Sequence, residues 1–184
     1  MTVLAGRAGP GAETGEAPFG RIQERFDLVT QGIAAEFVAK KWQLSREEID
    51  QFSYESHQKA LAADFSKEIL PIDGVTKDEG PRADTSFEKI SSLKPAFDEN
   101  GVITAANSSQ ISDGAAALLI ASSEGARQLE KKPRARFLAT AVTGVDPTLM
   151  LTGPISSTEL ALKKAGLKKE DIDVFECNEA FSPV

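Results

Sequence analysis

The sequence predicts an α/β fold built on a parallel sheet, and three consecutive stretches carry the prediction. ARFLATAV at 135–142 and IDVFE at 172–176 are typical of buried strands. SSTELALKKAG at 156–166 lies between them and predicts a helix, with Ser156 and Glu159 as its capping box and Gly166 as its stop. A strand, a helix and a strand at this spacing predict a right-handed βαβ unit in a parallel sheet.

The elements before that unit are mostly helical. Residues 1–20 are rich in Gly, Ala and Pro, which predicts a loop or an extended linker. Residues 31–43 predict a helix, because five apolar residues recur on one face: Ile33, Ala34, Phe37, Val38 and Trp42. Ser45 and Glu48 predict the capping box of a second helix that runs to about Lys67. Its predicted packing stripe is Ile49, Phe52, Ser56, Ala60 and Ala63.

The middle of the chain is harder to assign. EILPI at 68–72 predicts a short strand that Pro71 ends. Residues 73–101 are polar and rich in turn signals. AAALLIA at 115–121 is a continuous apolar run whose length favours a buried strand, with a helix as the alternative. A short helix is expected near SEGARQL.

The charge balance excludes some classes of partner. The formal net charge of the 184 residues is -7, which argues against a nucleic-acid or anionic-membrane protein, since both need clustered Lys and Arg. A single Cys rules out an internal disulfide and favours the reducing cytoplasm. No apolar run reaches transmembrane length, and the N-terminus has no signal-peptide core.

Two stretches carry the most specific information, NEAF at 178–181 and NSSQISDGAAALLIAS at 107–122. Asn178 and Glu179 follow a predicted strand, where parallel sheets gather their ligands. Together with TQGIAAEFVAKKWQLSREEIDQF, GVDP and GPISSTELALKKAGL, these stretches resemble the thiolase family, in the order in which the family carries them. The match looks most like the degradative branch for fatty acids or sterol side chains.

The resemblance implies a partial thiolase-like α/β fold in three pieces. Residues 1–104 would be most of a mainly helical loop domain. Residues 105–130 would be the strand and helix that close the first thiolase half, and residues 131–184 would open the second half with the βαβ unit. The family's nucleophilic Cys, its Gly-His-Pro motif and its Cys-x-Gly motif do not occur among the 184 residues. We therefore expect an internal fragment that is inactive alone.

The resemblance also implies roles for four residues. Asn178 matches the family Asn that holds an oxyanion-stabilising water, with a turn cap as the structural alternative. Ser109 matches the Ser that contacts the pantetheine arm of coenzyme A (CoA). Arg82 matches an Arg near the nucleotide end of CoA, with a solvated loop Arg nearly as well supported. Phe97 borders the acyl or pantetheine tunnel or packs in the core, and Glu179 is expected to hold the turn by hydrogen bonds.

Neither Cys177 nor His57 is expected to be catalytic. The family position before Asn-Glu is a strand residue, so Cys177 is interpreted as a packed, inert thiol. His57, the only His in the sequence, is expected to face solvent or to have a capping role. The family loop that often carries His-Met before Gly reads Thr30, Gln31, Gly32 here, which argues against acetoacetyl specificity.

The function implied is that of an acyltransferase that cleaves 3-ketoacyl-CoA with CoA, or runs the reverse condensation, through an acyl-cysteine intermediate. CoA would be a substrate, and no cofactor or metal is expected. The expected partners are acyl-CoA, the remainder of a thiolase chain and, in the full enzyme, further copies of it. Two alternatives stay open: a non-catalytic CoA-binding or interaction module, and one half of a split thiolase completed in trans.

Overall fold

The computed structural model describes residues 20–184, and in this part of the chain the regular structure is helical. The α-helices are α1 (Gly20–Gln23), α2 (Gln31–Trp42), α3 (Arg46–Ala62), α4 (Phe87–Ser91), α5 (Ser123–Gln128) and α6 (Gly153–Ala165), followed by a 3-10 turn at Lys169–Asp171. The loop predicted for residues 1–20 lies outside the described residues, except for Gly20, which opens α1. No helix among residues 20–184 is long and apolar enough to cross a membrane.

No regular strand is described at the predicted positions in residues 20–184, so the sheet of the α/β prediction is not confirmed in detail. Residues 115–121, 135–142 and 172–176 are irregular. Two isolated antiparallel bridges, Ile72 to Val75 and Ser108 to Phe181, are the only strand-like pairing described. A strand is stabilised by neighbouring backbone that accepts and donates its hydrogen bonds. In residues 20–184 no backbone hydrogen bonds that join these three stretches are described, and the stretches stay largely exposed.

The strand predicted at 68–72 is replaced by a tight turn. Ile72 and Val75 exchange both backbone hydrogen bonds, at 3.2 and 2.9 Å. Asp73 and Gly74 between them have φ values of 49° and 87°. Two successive residues with positive φ are the requirement of a type I′ turn, which Asp-Gly meets at low cost.

The described chain divides into two compact units. The first comprises residues 20–110, 144–153 and 177–184, and the second comprises 111–143 and 154–176. The core of the first unit is a cluster of Ala35, Ile103 and Phe181, against which partly buried Val102, Leu151 and Ala180 pack. The division into residues 1–104, 105–130 and 131–184 stays a prediction.

Helix α2 buries part of the face that the sequence predicts, namely Ala34 and Val38, together with neighbouring small residues. Its small residues Ala34, Ala35 and Ala39 are buried together with Val38, whereas Phe37 and Trp42 are exposed. Small side chains let neighbouring segments approach the helix closely. At Gly32, for example, the ring of Phe97 lies so near that an added Cβ would collide with it. Close approach therefore decides which face is buried, and the largest apolar residues stay outside.

Helix α3 has the predicted start but an earlier end. Ser45 Oγ accepts from the Glu48 N–H at 3.2 Å, and the Glu48 carboxylate accepts from the Ser45 N–H at 2.8 Å, so the capping box is confirmed. The helix ends at Ala62 rather than near Lys67. Its buried residues are Ile49, Asp50 and Ser53, and the predicted stripe residues Phe52 and Ala63 are exposed.

In the second unit the helix predictions are partly confirmed. Helix α5 forms near SEGARQL as expected. Helix α6 begins at Gly153, so the capping box predicted at Ser156 is wrong, and the Ser156 hydroxyl lies 2.9 Å from that of Thr143. Gly166 has φ +70°, and the Leu167 N–H donates to the Leu162 carbonyl at 3.0 Å. This is the left-handed glycine stop expected for that helix.

Candidate functional site

A cavity of about 880 Å³ lies within the first unit. Segments distant in sequence form its wall: the middle of α3, the loop at 78–85, α4 with the residues after it, the segment at 105–110, and residues 178–182. The wall combines apolar surface from Ala60, Pro81 and Leu93 with hydroxyl, amide and charged groups. A space of this size and mixed character suits a small organic ligand with a polar end.

Three of the four residues singled out from the sequence line this cavity. Asn178, Ser109 and Arg82 all contribute to its wall. Phe97 does not line it. The Phe97 ring instead packs edge-on against Phe181, with centroids 5.9 Å apart and planes at 76°. Phe97 also stays 42% exposed. Both alternatives given for it, like the roles of the other three residues, stay predictions.

The Asn178–Glu179 pair is held from the side by α3. Ser56 Oγ donates to Glu179 Oε2 at 2.6 Å across 123 sequence positions. We predicted that Glu179 would hold its own turn; the bond described reaches a different element instead. His57, next to Ser56, is half-buried and also lines the cavity. Helix α3 therefore brings a hydroxyl and an imidazole to the same wall as Asn178.

The segment that carries Ser109 is paired with the segment after Asn178. The Ser109 N–H donates to the Ala180 carbonyl at 2.8 Å, and the Ser182 N–H donates to the Asn107 carbonyl at 3.0 Å. These two bonds flank the bridge between Ser108 and Phe181. Pairing fixes the relative position of the two segments, so Ser109 and Asn178 reach the cavity from adjacent backbones.

The loop at 78–85 and α4 bring charges of both signs to the cavity wall: the cations Arg82 and Lys89 and the carboxylates Asp78 and Asp84. The Asp78 carboxylate accepts from the Gly80 N–H at 2.8 Å, which folds the loop just before Arg82. Lys89 Nζ donates to the Asp84 carbonyl at 2.6 Å and lies 3.1 Å from its carboxylate. The hydrogen bond from Lys89 holds the pKa of Asp84 below its usual range. Arg82 is exposed, and its backbone carbonyl accepts from the Thr85 N–H at 3.2 Å. Within residues 20–184, no hydrogen bond or salt bridge of its guanidinium is described.

A buried polar cluster behind the cavity was not predicted from the sequence. Asp50 is fully buried and accepts from Arg46 Nε at 2.6 Å and from Asn107 Nδ2 at 2.9 Å. The spacing of Arg46 and Asp50, four residues apart on a helix, is the one local signal for this pair. Asn107 lies 57 positions from Asp50, so no local pattern indicates that contact.

A second buried carboxylate orders the turn that leads to the cavity wall. Glu36 accepts from the N–H groups of Val102 and Ile103, each at 2.9 Å. A Cβ on Gly101 would collide with a carboxylate oxygen of Glu36, so only glycine fits there. The loop after Asp98 is thereby fixed on α2 before the chain enters the segment at 105–110.

The remaining groups considered for chemistry are Cys177 and metal ligands. Cys177 is a free, exposed thiol and does not line the cavity, so its interpretation as a packed residue is wrong for this structure. In the part of the chain that the structure describes, its backbone has no strand partner that would cover it. Within residues 20–184, no three His, Cys, Asp or Glu side chains are grouped so that they could hold a metal ion.

Two family models match the chain. The model of the thiolase N-terminal domain matches residues 18–124, and the model of the thiolase C-terminal domain matches residues 131–184. The first match alone spans more than half of the 184 residues.

Curated relatives agree with the family models. The chain is 50% identical to a 3-ketoacyl-CoA thiolase of Klebsiella pneumoniae and 48% identical to one of Salmonella typhimurium. Each alignment covers 82% of this chain and 43% of the relative. The chain therefore spans about two fifths of the length of these relatives.

Solved structures resemble the chain at similar coverage. Human mitochondrial 3-ketoacyl-CoA thiolase in complex with CoA has a TM-score of 0.81 at 38% identity, over 84% of this chain and 41% of that one. The acetyl-CoA acetyltransferase of Bacillus anthracis has a TM-score of 0.80 at 34% identity, over 99% of this chain and 50% of that one.

Proposed function

Because this chain belongs to the thiolase family, we propose that it acts within an acyl-CoA acyltransferase of the 3-ketoacyl-CoA thiolase type. Such an enzyme cleaves 3-ketoacyl-CoA with CoA or condenses two acyl-CoAs. The observation that carries the proposal is the single cavity wall shared by Asn178, Ser109 and Arg82. These residues are separated in sequence, and each matches a family position that faces CoA or its reacting thioester.

The proposed ligand of the cavity is CoA, bound as a substrate rather than as a cofactor. Arg82 is exposed at the wall, and a guanidinium donates to phosphate oxygens in a fork. Ser109 supplies a hydroxyl and the apolar residues supply surface, which together suit the amide-bearing pantetheine arm. The human structure that resembles this chain holds CoA.

Asn178 is proposed to serve the chemical step. When a thiolate attacks the 3-keto carbonyl, negative charge develops on oxygen, and a fixed donor aimed at that oxygen lowers the barrier. Asn178 is the family residue for this purpose, acting through a water. Glu179, held by Ser56 at 2.6 Å, would keep the neighbouring Asn178 in place.

We also propose that these 184 residues do not suffice for thiolysis. The chain has one Cys and one His. The Cys177 thiol lies outside the cavity wall, and a thiolate nucleophile needs a base within hydrogen-bond reach. Further polypeptide, in the same chain or in trans, would supply the nucleophile and base, and the whole enzyme would be a cytoplasmic homo-oligomer.

A second candidate function is a CoA-binding module without catalysis. The exclusion of Cys177 from the cavity wall favours it, because binding needs only the groups that the cavity already has. Thiolysis after addition of the missing thiolase segments would exclude this candidate.

Titration calorimetry of the 184-residue chain with CoA and with pantetheine tests the proposed ligand. Arg82→Ala is expected to weaken CoA binding about tenfold and to leave pantetheine binding unchanged, because only CoA carries phosphates. Ser109→Ala is expected to weaken the binding of CoA and the binding of pantetheine about fivefold each. Arg25→Ala, which removes an arginine outside the cavity wall, is the control. Absence of CoA binding, or equal loss with both arginine variants, would contradict the proposal.

A further inference from the structure

The buried carboxylate of Asp50 lies behind the cavity wall rather than in it. Its two oxygens are divided between two donors, Arg46 Nε at 2.6 Å and Asn107 Nδ2 at 2.9 Å. Burying a charge costs several kcal/mol unless it is paired and hydrogen-bonded. Both conditions are met here, so the carboxylate is tied to two specific partners instead of to solvent.

The partner amide of Asn107 can adopt only one orientation. Its Nδ2 group donates to Asp50 and also to the Val102 carbonyl at 3.0 Å. Its Oδ1 accepts from the Thr104 N–H at 2.8 Å. A reversed amide would set its oxygen against two acceptors, so Asp50 specifies the orientation together with Val102 and Thr104.

The same carboxylate holds the end of α4 through Arg46. The Arg46 guanidinium donates to the Ile90 carbonyl at 3.1 Å and to the Leu93 carbonyl at 2.9 Å. Ile90 and Leu93 both line the cavity. One buried charge thus connects α3, the end of α4 and the segment that starts at Asn107.

We propose that Asp50 is a positioning residue for the CoA cavity, acting through Asn107. Asn107 fixes the segment that carries Ser109, and its carbonyl accepts from the Ser182 N–H on the segment that follows Asn178. The inference rests on the proposed function, because it assigns the purpose of this geometry to the binding of CoA. Asp50 itself touches neither the ligand nor the reacting atoms.

The decisive variant is Asp50→Asn, which keeps the shape and removes the charge. Arg46 and Asn107 donate to different oxygens of Asp50, and the amide introduced there keeps only one of these two acceptors. Because the charged Arg46 competes for that acceptor, the Asn107 amide is left with Val102 and Thr104 as its firm partners and is held less tightly. Hydrogen exchange of the 184-residue chain should show about tenfold faster exchange at the amides of Thr104, Ser109 and Ser182. The amides of α2 should keep their protection, and Glu47→Gln, which removes an exposed charge from the same helix, should change neither set.

A merely structural role gives a different result. If Asp50→Asn accelerated exchange equally in α2 and at these three amides, Asp50 would serve overall stability and the proposal would be overturned. If the variant did not fold, Arg46→Lys would replace it, since an ammonium keeps the charge beside Asp50 but lacks the planar fork of donors. A smaller, equally localised acceleration supports the proposal, and no localised acceleration overturns it.

Binding of CoA provides the second readout. Asp50→Asn and Asn107→Ala should each weaken CoA binding about fivefold, and the double variant should lose no more than either alone, because both act through one contact. If the losses of CoA affinity in the two single variants added up in the double variant, Asp50 would not act through Asn107, and the proposal would be overturned. If the parent chain bound no CoA at all, the proposed function would fail, whereas the localised exchange pattern would still report whether Asp50 orders the cavity wall.

Discussion

The Ser56 hydroxyl and the Glu179 carboxylate are joined by a hydrogen bond of 2.6 Å, although 123 positions separate them. This contact attaches α3 to the residue next to Asn178. A short serine in the middle of a helix is what allows the approach, since a larger side chain would occupy the space of the carboxylate.

Ser56→Ala should loosen the segment at 178–182. We expect a loss of about 1 kcal/mol in the free energy of unfolding, since one hydrogen bond to a charged but exposed group is removed. Urea denaturation measures the change. Ser91→Ala is the control, because the described residues make no hydrogen bond to that hydroxyl. Equal stability of the two variants would show that the contact contributes nothing in solution.

Gly101→Ala should be strongly destabilising. The new Cβ would collide with the Glu36 carboxylate, which cannot move without breaking its bonds to the Val102 and Ile103 amides. We expect a cost of about 2 kcal/mol or more in the free energy of unfolding. At Gly144 in the same unit a Cβ meets nothing within 4 Å, so Gly144→Ala should be nearly neutral in the same assay.

The start of α3 should weaken in acid. Hydrogen bonds from the Ser45 N–H and hydroxyl hold the pKa of Glu48 below its usual range. Because the folded-state pKa is the lower one, the contribution of Glu48 to stability is fully present above the ordinary glutamate pKa. It is lost as the pH falls through the lowered value.

Far-UV circular dichroism from about pH 6 to about pH 3 measures this effect. Glu48→Gln should lose less helix in acid than the parent chain does. Glu47→Gln, which changes a residue in the same first turn, should lose as much helix as the parent chain. If both variants titrated like the parent chain, the capping carboxylate would not contribute to the acid transition.

Thiolysis of 3-ketoacyl-CoA by the purified chain should be undetectable. Cys177, the only thiol, is exposed and outside the cavity wall. A spectrophotometric assay of thioester cleavage measures this directly. Turnover that Cys177→Ala abolishes would contradict the expectation and would make Cys177 the nucleophile.

In an active enzyme that contains this sequence, Asn178→Ala should lower kcat about a hundredfold with little change in the affinity for CoA. The loss of one oxyanion-stabilising donor costs about 3 kcal/mol in the transition state alone. Ser109→Ala should instead raise KM. A rise of KM alone in Asn178→Ala would make Asn178 a turn residue.

Several local features of the chain were predictable, although the local capping box at Ser156 is wrong because α6 begins at Gly153. Features that depend on distant partners were not predictable. The Ser45–Glu48 capping box and the Gly166 stop are set by residues within one or two turns, and both occur as expected. The strand predicted at 172–176 fails because a strand needs neighbouring backbone. In α2 the burial predicted for Ala34 and Val38 is confirmed, whereas Phe37 and Trp42 are exposed because close packing selects small residues over the most hydrophobic ones.

The candidate site follows the same rule. The sequence indicated four residues, of which Asn178, Ser109 and Arg82 line one cavity and Phe97 does not. Asp50 was missed because its burial depends on Asn107, 57 positions away, and an isolated Asp on a helix is ordinarily solvated.

The exposure of apolar residues in the second unit has a calorimetric consequence. Leu118, Val142 and Val174 are 79%, 93% and 80% exposed in the folded chain. The heat-capacity increment of unfolding and the slope of stability against denaturant both scale with newly hydrated apolar surface. Water already reaches these side chains before unfolding. The heat-capacity increment of unfolding per residue should therefore fall below the usual value of about 12–15 cal/mol/K.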